Sequence, residues 1–188
     1  MKIILFGDSL FAQMGKHRLL KIEEKIPGSD VYNCAAGGWD SNDCVKKALY
    51  IASLKPDVLI ISLGTNDASS WKLVDLETFK QNVPKTIDIF AGSKFIYFLP
   101  PPSDENKQPP DKIRKNETLK QYYDAAKKIC EEKTVLTINS WDIFKPMLDR
   151  GEVYHVEDGT HLEEVAYDII IEEMAKLINA RDINRLTP

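Results

Sequence analysis

The chain has 188 residues, with 25 Lys and Arg against 29 Asp and Glu, a formal net charge of −4. That balance excludes a protein whose main partner is a nucleic-acid backbone, and 43% hydrophobic with 29% charged residues excludes a disordered chain. The length corresponds to one domain, 1–188, which buries roughly 70% of its unfolded surface and needs no disulfide or zinc staple.

In chain order, residues 3–6 form a short apolar run that predicts a buried strand, and residues 11–25 predict a helix. Pro27-Gly28 breaks it, and residues 31–35 predict a second strand. Residues 42–54 read as a helix with Val45, Leu49 and Ala52 on one face; Pro56-Asp57 ends it. Residues 58–63 are continuous and rich in β-branched side chains, the pattern of a strand covered on both faces. A helix over 76–90 contains Pro84, a site for a kink, and a fourth strand follows over 94–99. The Pro-rich polar segment 100–111 is a loop, 113–132 a long helix, and 134–138 a fifth strand. A short helix over 141–148, a loop over 151–159 and a closing helix over 163–179 complete the chain, with Ile169, Met174 and Ile178 facing inward. Asn116-Glu117-Thr118 fits a glycosylation sequon but reads here as a helix start.

Strands alternating with helices predict a parallel sheet with helices on both faces. Ligands of such sheets bind beyond the carboxyl ends of the strands, so function is sought there. The first apolar run covers four residues and stops at Asp8, too short for a secretory signal of about 7–15. No stretch approaches the roughly 18–20 apolar residues of a membrane span. Three widely spaced cysteines, Cys34, Cys44 and Cys130, with no CxxC pair, are not a disulfide framework, and a cytoplasmic location is expected.

Four segments at these ends carry the chemistry. Gly7-Asp8-Ser9-Leu10 follows the first strand. Ser9 at a helix start has free N–H groups beside it, which suits a nucleophile; an N-cap role for Asp8 or Ser9 is the plainer alternative. Asn33-Cys34-Ala35-Ala36-Gly37-Gly38-Trp39-Asp40-Ser41 follows the second strand, and its glycines permit close backbone approach. It is neither a GxGxxG fingerprint nor a phosphate loop, which argues against nucleotide binding. Gly64-Thr65-Asn66-Asp67 follows the third strand; Asn66 either aims its amide where the Gly38 N–H points or closes an Asx turn. Asp158-Gly159-Thr160-His161 precedes the last helix, where Asp158 can fix one imidazole nitrogen and leave the other as a base. Each signal alone has a structural explanation; together they supply a nucleophile, a base, an orienting acid and oxyanion donors.

The four blocks, in this order and spanning residues 7 to 161, resemble the SGNH hydrolases, the GDSL-type esterase and lipase family. The resemblance implies a flavodoxin-like three-layer α/β sandwich with a five-stranded parallel sheet. It also implies Ser9 as nucleophile, His161 as base and then acid, and Asp158 as the residue orienting His161. The oxyanion donors would be the Ser9 and Gly38 N–H groups and the Asn66 side chain. Trp39 stands where a small or acidic residue is common, and Ala166 where a glycine often precedes the tyrosine matched by Tyr167; the first bears on substrate preference.

Trp39 and Trp71 are candidates for stacking a sugar or lining an acyl pocket, against the alternative of core or rim packing. His155 precedes His161 with Glu157 and Asp158 between them, but this loop spacing supplies no third clear metal ligand, so neither metal nor other cofactor is expected. His17 reads as surface, Cys34 as a buried inert thiol, and segment 100–111 either edges the pocket or merely connects. The expected activity is serine-dependent hydrolysis of small-molecule or carbohydrate esters with a short acyl group, acetyl on a carbohydrate among them. Alternatives are a lysophospholipase or thioesterase on longer chains, an acyltransferase with the same triad, or a silent binding module. No nucleic-acid partner is expected, and the sequence does not give the oligomeric state.

Overall fold

The structure, a computed structural model, describes residues 1–72 and 74–180. Its elements in chain order are β1 (Lys2–Gly7), α1 (Ser9–Ala12), α2 (Lys16–Lys25), β2 (Asp30–Asn33), α3 (Ser41–Ser53), β3 (Val58–Ser62), α4 (Leu76–Ile89), β4 (Lys94–Phe98), α5 (Asn116–Glu132), β5 (Leu136–Ile138), α6 (Ser140–Asp149) and α7 (Glu164–Asn179). The strands form one sheet in the order β2-β1-β3-β4-β5, and every pairing is parallel. This is the parallel sheet expected from the alternation of elements, in the flavodoxin-like α/β architecture that the family resemblance implies.

Successive strand residues point to opposite faces, so each inner strand splits its side chains between two cores. Ile3, Leu5, Val58, Ile60, Ile96 and Phe98 pack against residues of α1, α2, α6 and α7. Ile4, Phe6, Leu59, Ile61, Phe95 and Tyr97 pack against α3, α4 and α5. All five residues of β3 are buried, as its unbroken apolar sequence requires of a strand covered on both faces.

Several boundaries differ from the sequence expectations for identifiable reasons. The helix expected over 11–25 is two helices: α1 starts earlier, at Ser9, and the chain turns at Gln13–Gly15 before α2. Asn33 stabilises that turn, its Nδ2 donating to the carbonyls of Phe11 and Met14. In α3 the buried face is Ser41, Cys44, Ala48 and Ile51, whereas Leu49, expected inside, is 72% exposed. Cys44, Ala48 and Ile51 join the cluster of Ile4, Phe6 and Val83, with α4 the nearest neighbouring element, and the more apolar Leu49 is left outside. β5 starts at Leu136 rather than 134 because α5 ends in a turn with Thr134 at φ +55° and the Val135 N–H on Cys130 O. α5 starts at Asn116 rather than 113, since the Arg114 N–H is bound by the Gln108 side chain. α4 runs through Pro84 as one helix. In α7, Ile170, Ile171, Met174 and Ile178 are buried, and Ile169 packs only partly against the core.

Candidate active site

The site is assembled at the carboxyl edge of the sheet. At the end of β1, Gly7 has φ +116°, and a Cβ there would lie 1.9 Å from Ser62 O, so the turn into α1 requires glycine. Asp8 caps α1, its Oδ1 accepting from Leu10 N–H at 3.0 Å and from Ser62 Oγ at 2.8 Å. The cap role therefore belongs to Asp8, and Ser9, at the first helical position, is left free. Burial pushes the Asp8 carboxyl up to about 7, although both hydrogen bonds oppose it; its Oδ2 is buried with no partner among the described residues.

Ser9 Oγ lies 2.9 Å from His161 Nε2, and His161 Nδ1 lies 2.5 Å from Asp158 Oδ2. The other carboxylate oxygen, Asp158 Oδ1, accepts from the Thr160 and His161 amides, each at 2.9 Å. Partial burial alone would raise the Asp158 carboxyl, but the bonds from the His161 ring and the two amides outweigh it and hold it below the usual range. A short loop thus fixes its own carboxylate and presents the imidazole to a serine 152 positions earlier.

Gly38 lies in the loop between β2 and α3. That loop is tied down by Ala36 N–H on Gly7 O at 3.0 Å and by a capping box at the start of α3, where Asp40 accepts from Asn42 and Asp43 N–H. Ser41 N–H donates to Asp67 Oδ1 at 2.9 Å, joining this loop to the block after β3. Burial pushes the Asp67 carboxyl up to about 6. Asn66 is 4% exposed, and its Nδ2 donates to Trp39 O at 2.9 Å, so it is not spent on an Asx turn. The Ser9 and Gly38 N–H groups donate to no group among the described residues. Ser9, Asp158 and His161 are therefore brought together, and Asn66 bonds to the residue that follows Gly38.

The remaining candidates separate. The Trp39 ring meets Phe6 edge-on, with centroids 5.9 Å apart, and packs partly on the core. Trp71 is 42% exposed and lies against the Arg114 guanidinium, 4.5 Å from its carbon. Cys34 is half-buried and His17 exposed. His155 is 2% exposed and bonds through Nε2 to Pro102 O at 3.0 Å; burial pulls its pKa down to about 4. Among the described residues no group of three His, Cys, Asp or Glu side chains is arranged to hold a metal ion. Segment 100–111 has no regular element, but it is not a mere connection: Asp104 N–H donates to Gly159 O at 2.8 Å, and Pro102 O accepts from Tyr154 and His155.

Two residues near the site were missed in the sequence. Lys72 Nζ contacts Gly38 O and lies 3.6 Å from Asp40 Oδ2. Arg114 donates to Thr65 O, Thr160 Oγ1 and Asn66 Oδ1. The one available signal was position: Arg114 lies in the connection after β4, on the side of the sheet where ligands bind. A cleft of about 800 Å³ opens at the opposite end, beside Phe90, Phe95 and Leu136, away from all of these groups.

Residues 5–169 match the model of the GDSL-like lipase/acylhydrolase family. The chain belongs to that family. Its members are serine hydrolases acting on esters. A GDSL esterase/lipase of Arabidopsis thaliana is 24% identical over 211 aligned positions, covering 96% of this chain and 65% of the relative. One of Oryza sativa subsp. japonica is 25% identical, covering 75% of this chain and 62% of the relative. The chain thus spans just under two thirds of the length of these two plant relatives. Among solved structures, a lipase/acylhydrolase from Enterococcus faecalis superposes with a TM-score of 0.84 at 24% identity, covering 94% of both chains. An acetyl xylan esterase from Geobacillus stearothermophilus gives 0.78 at 19% identity, covering 95% of this chain and 94% of the other. These two likenesses establish the shared fold. No helix among the described residues is long and apolar enough to cross a membrane.

Proposed function

We propose that this GDSL family member is a serine esterase that hydrolyses short-acyl esters of small molecules or carbohydrates through an acyl-enzyme on Ser9. The observation that carries the reading is the continuous chain from Ser9 Oγ to His161 Nε2 at 2.9 Å and from His161 Nδ1 to Asp158 at 2.5 Å. His161 takes the Ser9 proton as Oγ attacks the ester carbonyl, and Asp158 holds the imidazole in the tautomer with Nε2 free. The carbonyl oxygen becomes an oxyanion, received by the Ser9 and Gly38 N–H groups and the second Nδ2 hydrogen of Asn66. Each such donor is worth roughly 10²–10³ in kcat. Collapse of this intermediate expels the alcohol, which takes its proton from His161. Water, deprotonated in turn by His161, attacks the acyl-enzyme and releases the acid.

The short-acyl, carbohydrate preference rests on Trp71, an exposed aromatic beside the site suited to a sugar face, and on the fold shared with acetyl xylan esterases. Ser9→Ala should abolish hydrolysis of p-nitrophenyl acetate; wild-type turnover by that variant would refute the nucleophile. A series of p-nitrophenyl esters from acetate to palmitate tests chain length, and a kcat/KM that climbs steadily along it would overturn the short-acyl preference. Product partitioning on addition of alcohol acceptors would indicate acyl transfer.

A further inference from the structure

Arg114 is a buried cation with no ion pair among the described residues, a costly arrangement for an ordinary structural side chain. Its guanidinium is held by three neutral oxygens. Nε donates to Thr65 O at 3.2 Å, Nη1 to Thr160 Oγ1 at 3.2 Å and Nη2 to Asn66 Oδ1 at 3.1 Å. Trp71 covers it at 4.5 Å. Its own backbone is clamped: Arg114 O accepts from Ser103 Oγ at 2.8 Å, and the N–H bonds to Gln108. Thr65 and Asn66 belong to the block after β3, whereas Thr160 adjoins His161. One side chain therefore bridges the oxyanion block and the loop that carries Asp158 and His161.

The contact with Asn66 has a chemical consequence. An Asn amide can sit in either of two flips that differ by exchange of O and N. Arginine only donates, so the atom facing Nη2 must be Oδ1. The Nδ2 group must then face the other way, where Trp39 O accepts one of its hydrogens and the second remains for a substrate oxygen. In the opposite flip, Oδ1 would face Trp39 O and the amide donor would face a cation. The guanidinium also withdraws charge through Oδ1, which strengthens Nδ2–H as a donor.

We propose that Arg114 is a positioning residue for ester hydrolysis: it fixes the flip of Asn66 and delivers that amide as an oxyanion donor, in register with the loop carrying His161. This rests on the serine-esterase reading above. Because the interaction acts on the transition state, its loss falls on kcat and leaves KM nearly unchanged.

The test is a double-mutant cycle on p-nitrophenyl acetate with Arg114→Gln, Asn66→Ala and the pair, each checked by thermal melting. Asn66→Ala should lower kcat by about 10²–10³, and Arg114→Gln by about 10–100-fold. In the Asn66→Ala background, Arg114→Gln should cost less than about 3-fold more, since its target is gone. If Arg114→Gln melts below the assay temperature, Arg114→Lys takes its place in the same cycle. Lysine keeps the charge but cannot hold the three acceptors in one plane, so the same loss in kcat and the same non-additivity are expected. Unchanged kcat in the substituted enzyme, a loss confined to KM, or equal losses with and without Asn66 would each overturn the proposal. Ser9→Ala separates the two levels. If it stays active, the serine-esterase reading fails; if it is inactive while the cycle is additive, only the role of Arg114 fails.

Discussion

Gly159→Ala perturbs the loop that carries Asp158 and His161 without touching either side chain. Gly159 has φ +67°, and an added Cβ would lie 2.3 Å from Asp104 O, 3.0 Å from Lys107 Cβ and 3.2 Å from Gln108 Cγ. The first of these is backbone and cannot rotate away, so segment 100–111 and the catalytic loop must separate. The left-handed conformation itself costs a residue with a Cβ about 1–2 kcal/mol. Separation also threatens the Asp104 N–H to Gly159 O bond of 2.8 Å, worth about 1 kcal/mol. Together, about 2–3 kcal/mol corresponds to a fall in Tm of roughly 5–10 °C for a chain this size. The effect on turnover should be larger than the effect on stability. His161 Nε2 stands 2.9 Å from Ser9 Oγ, and a shift of about 1 Å there can cost about 10²-fold in kcat. The assay is p-nitrophenyl acetate hydrolysis, run well below the variant's Tm, beside a thermal melt. A variant with wild-type Tm and wild-type kcat would refute the claim that segment 100–111 sets the position of the catalytic loop.

Buried ionisable groups give further predictions. The Asp8 carboxyl is raised to about 7 by burial, so the folded state retains a proton that the unfolded chain releases near 4. Stability from this group is full below about 4 and lost as pH rises through 7, by about 4 kcal/mol. Asp8→Asn should therefore raise Tm relative to wild type more at pH 8 than at pH 4.5, and equal differences at both pH values would count against it. His155 works in the opposite sense, since burial lowers it to about 4. Its contribution is present above about 6.5 and lost as pH falls through 4, by about 3 kcal/mol, so His155→Gln should flatten the acid side of a Tm–pH curve. An unchanged acid slope in that variant would place the acid sensitivity elsewhere. Lys72→Ala removes the ammonium contact on Gly38 O and should lower kcat on p-nitrophenyl acetate by several-fold through a looser glycine loop; unchanged kcat would mean that the capping box at Asp40 suffices to hold it.

The sheet was legible because its strands are short, continuous apolar runs with breaks at Pro56-Asp57 and the glycines that follow them. Residues 58–63 could be read as doubly covered because no polar side chain interrupts Val58 to Ile61. The face of α3 differs from the expectation because hydrophobicity ranks Leu49 above Ala48, whereas the face that meets the core and α4 is Cys44, Ala48 and Ile51. The break of the first helix depends on Asn33, a residue of the next strand, reaching back to two carbonyls. The blocks holding Ser9, Gly38, Asn66, Asp158 and His161 were legible because each is a turn signal joined to a chemical group. Arg114 was not. Its environment is made by residues 65, 66, 71 and 160, which converge only when the strand ends are aligned and segment 100–111 is folded against them.

In the proposed mechanism Ser9 carries the acyl group between the two steps. Rapid acid quenching during turnover of p-nitrophenyl acetate, followed by intact-mass and peptide analysis, tests it directly. One acetyl group is expected on the peptide containing Ser9, no adduct in Ser9→Ala, and a greatly slowed appearance of the adduct in His161→Ala. An acetyl group on another residue of an active enzyme, or turnover by Ser9→Ala, would contradict it.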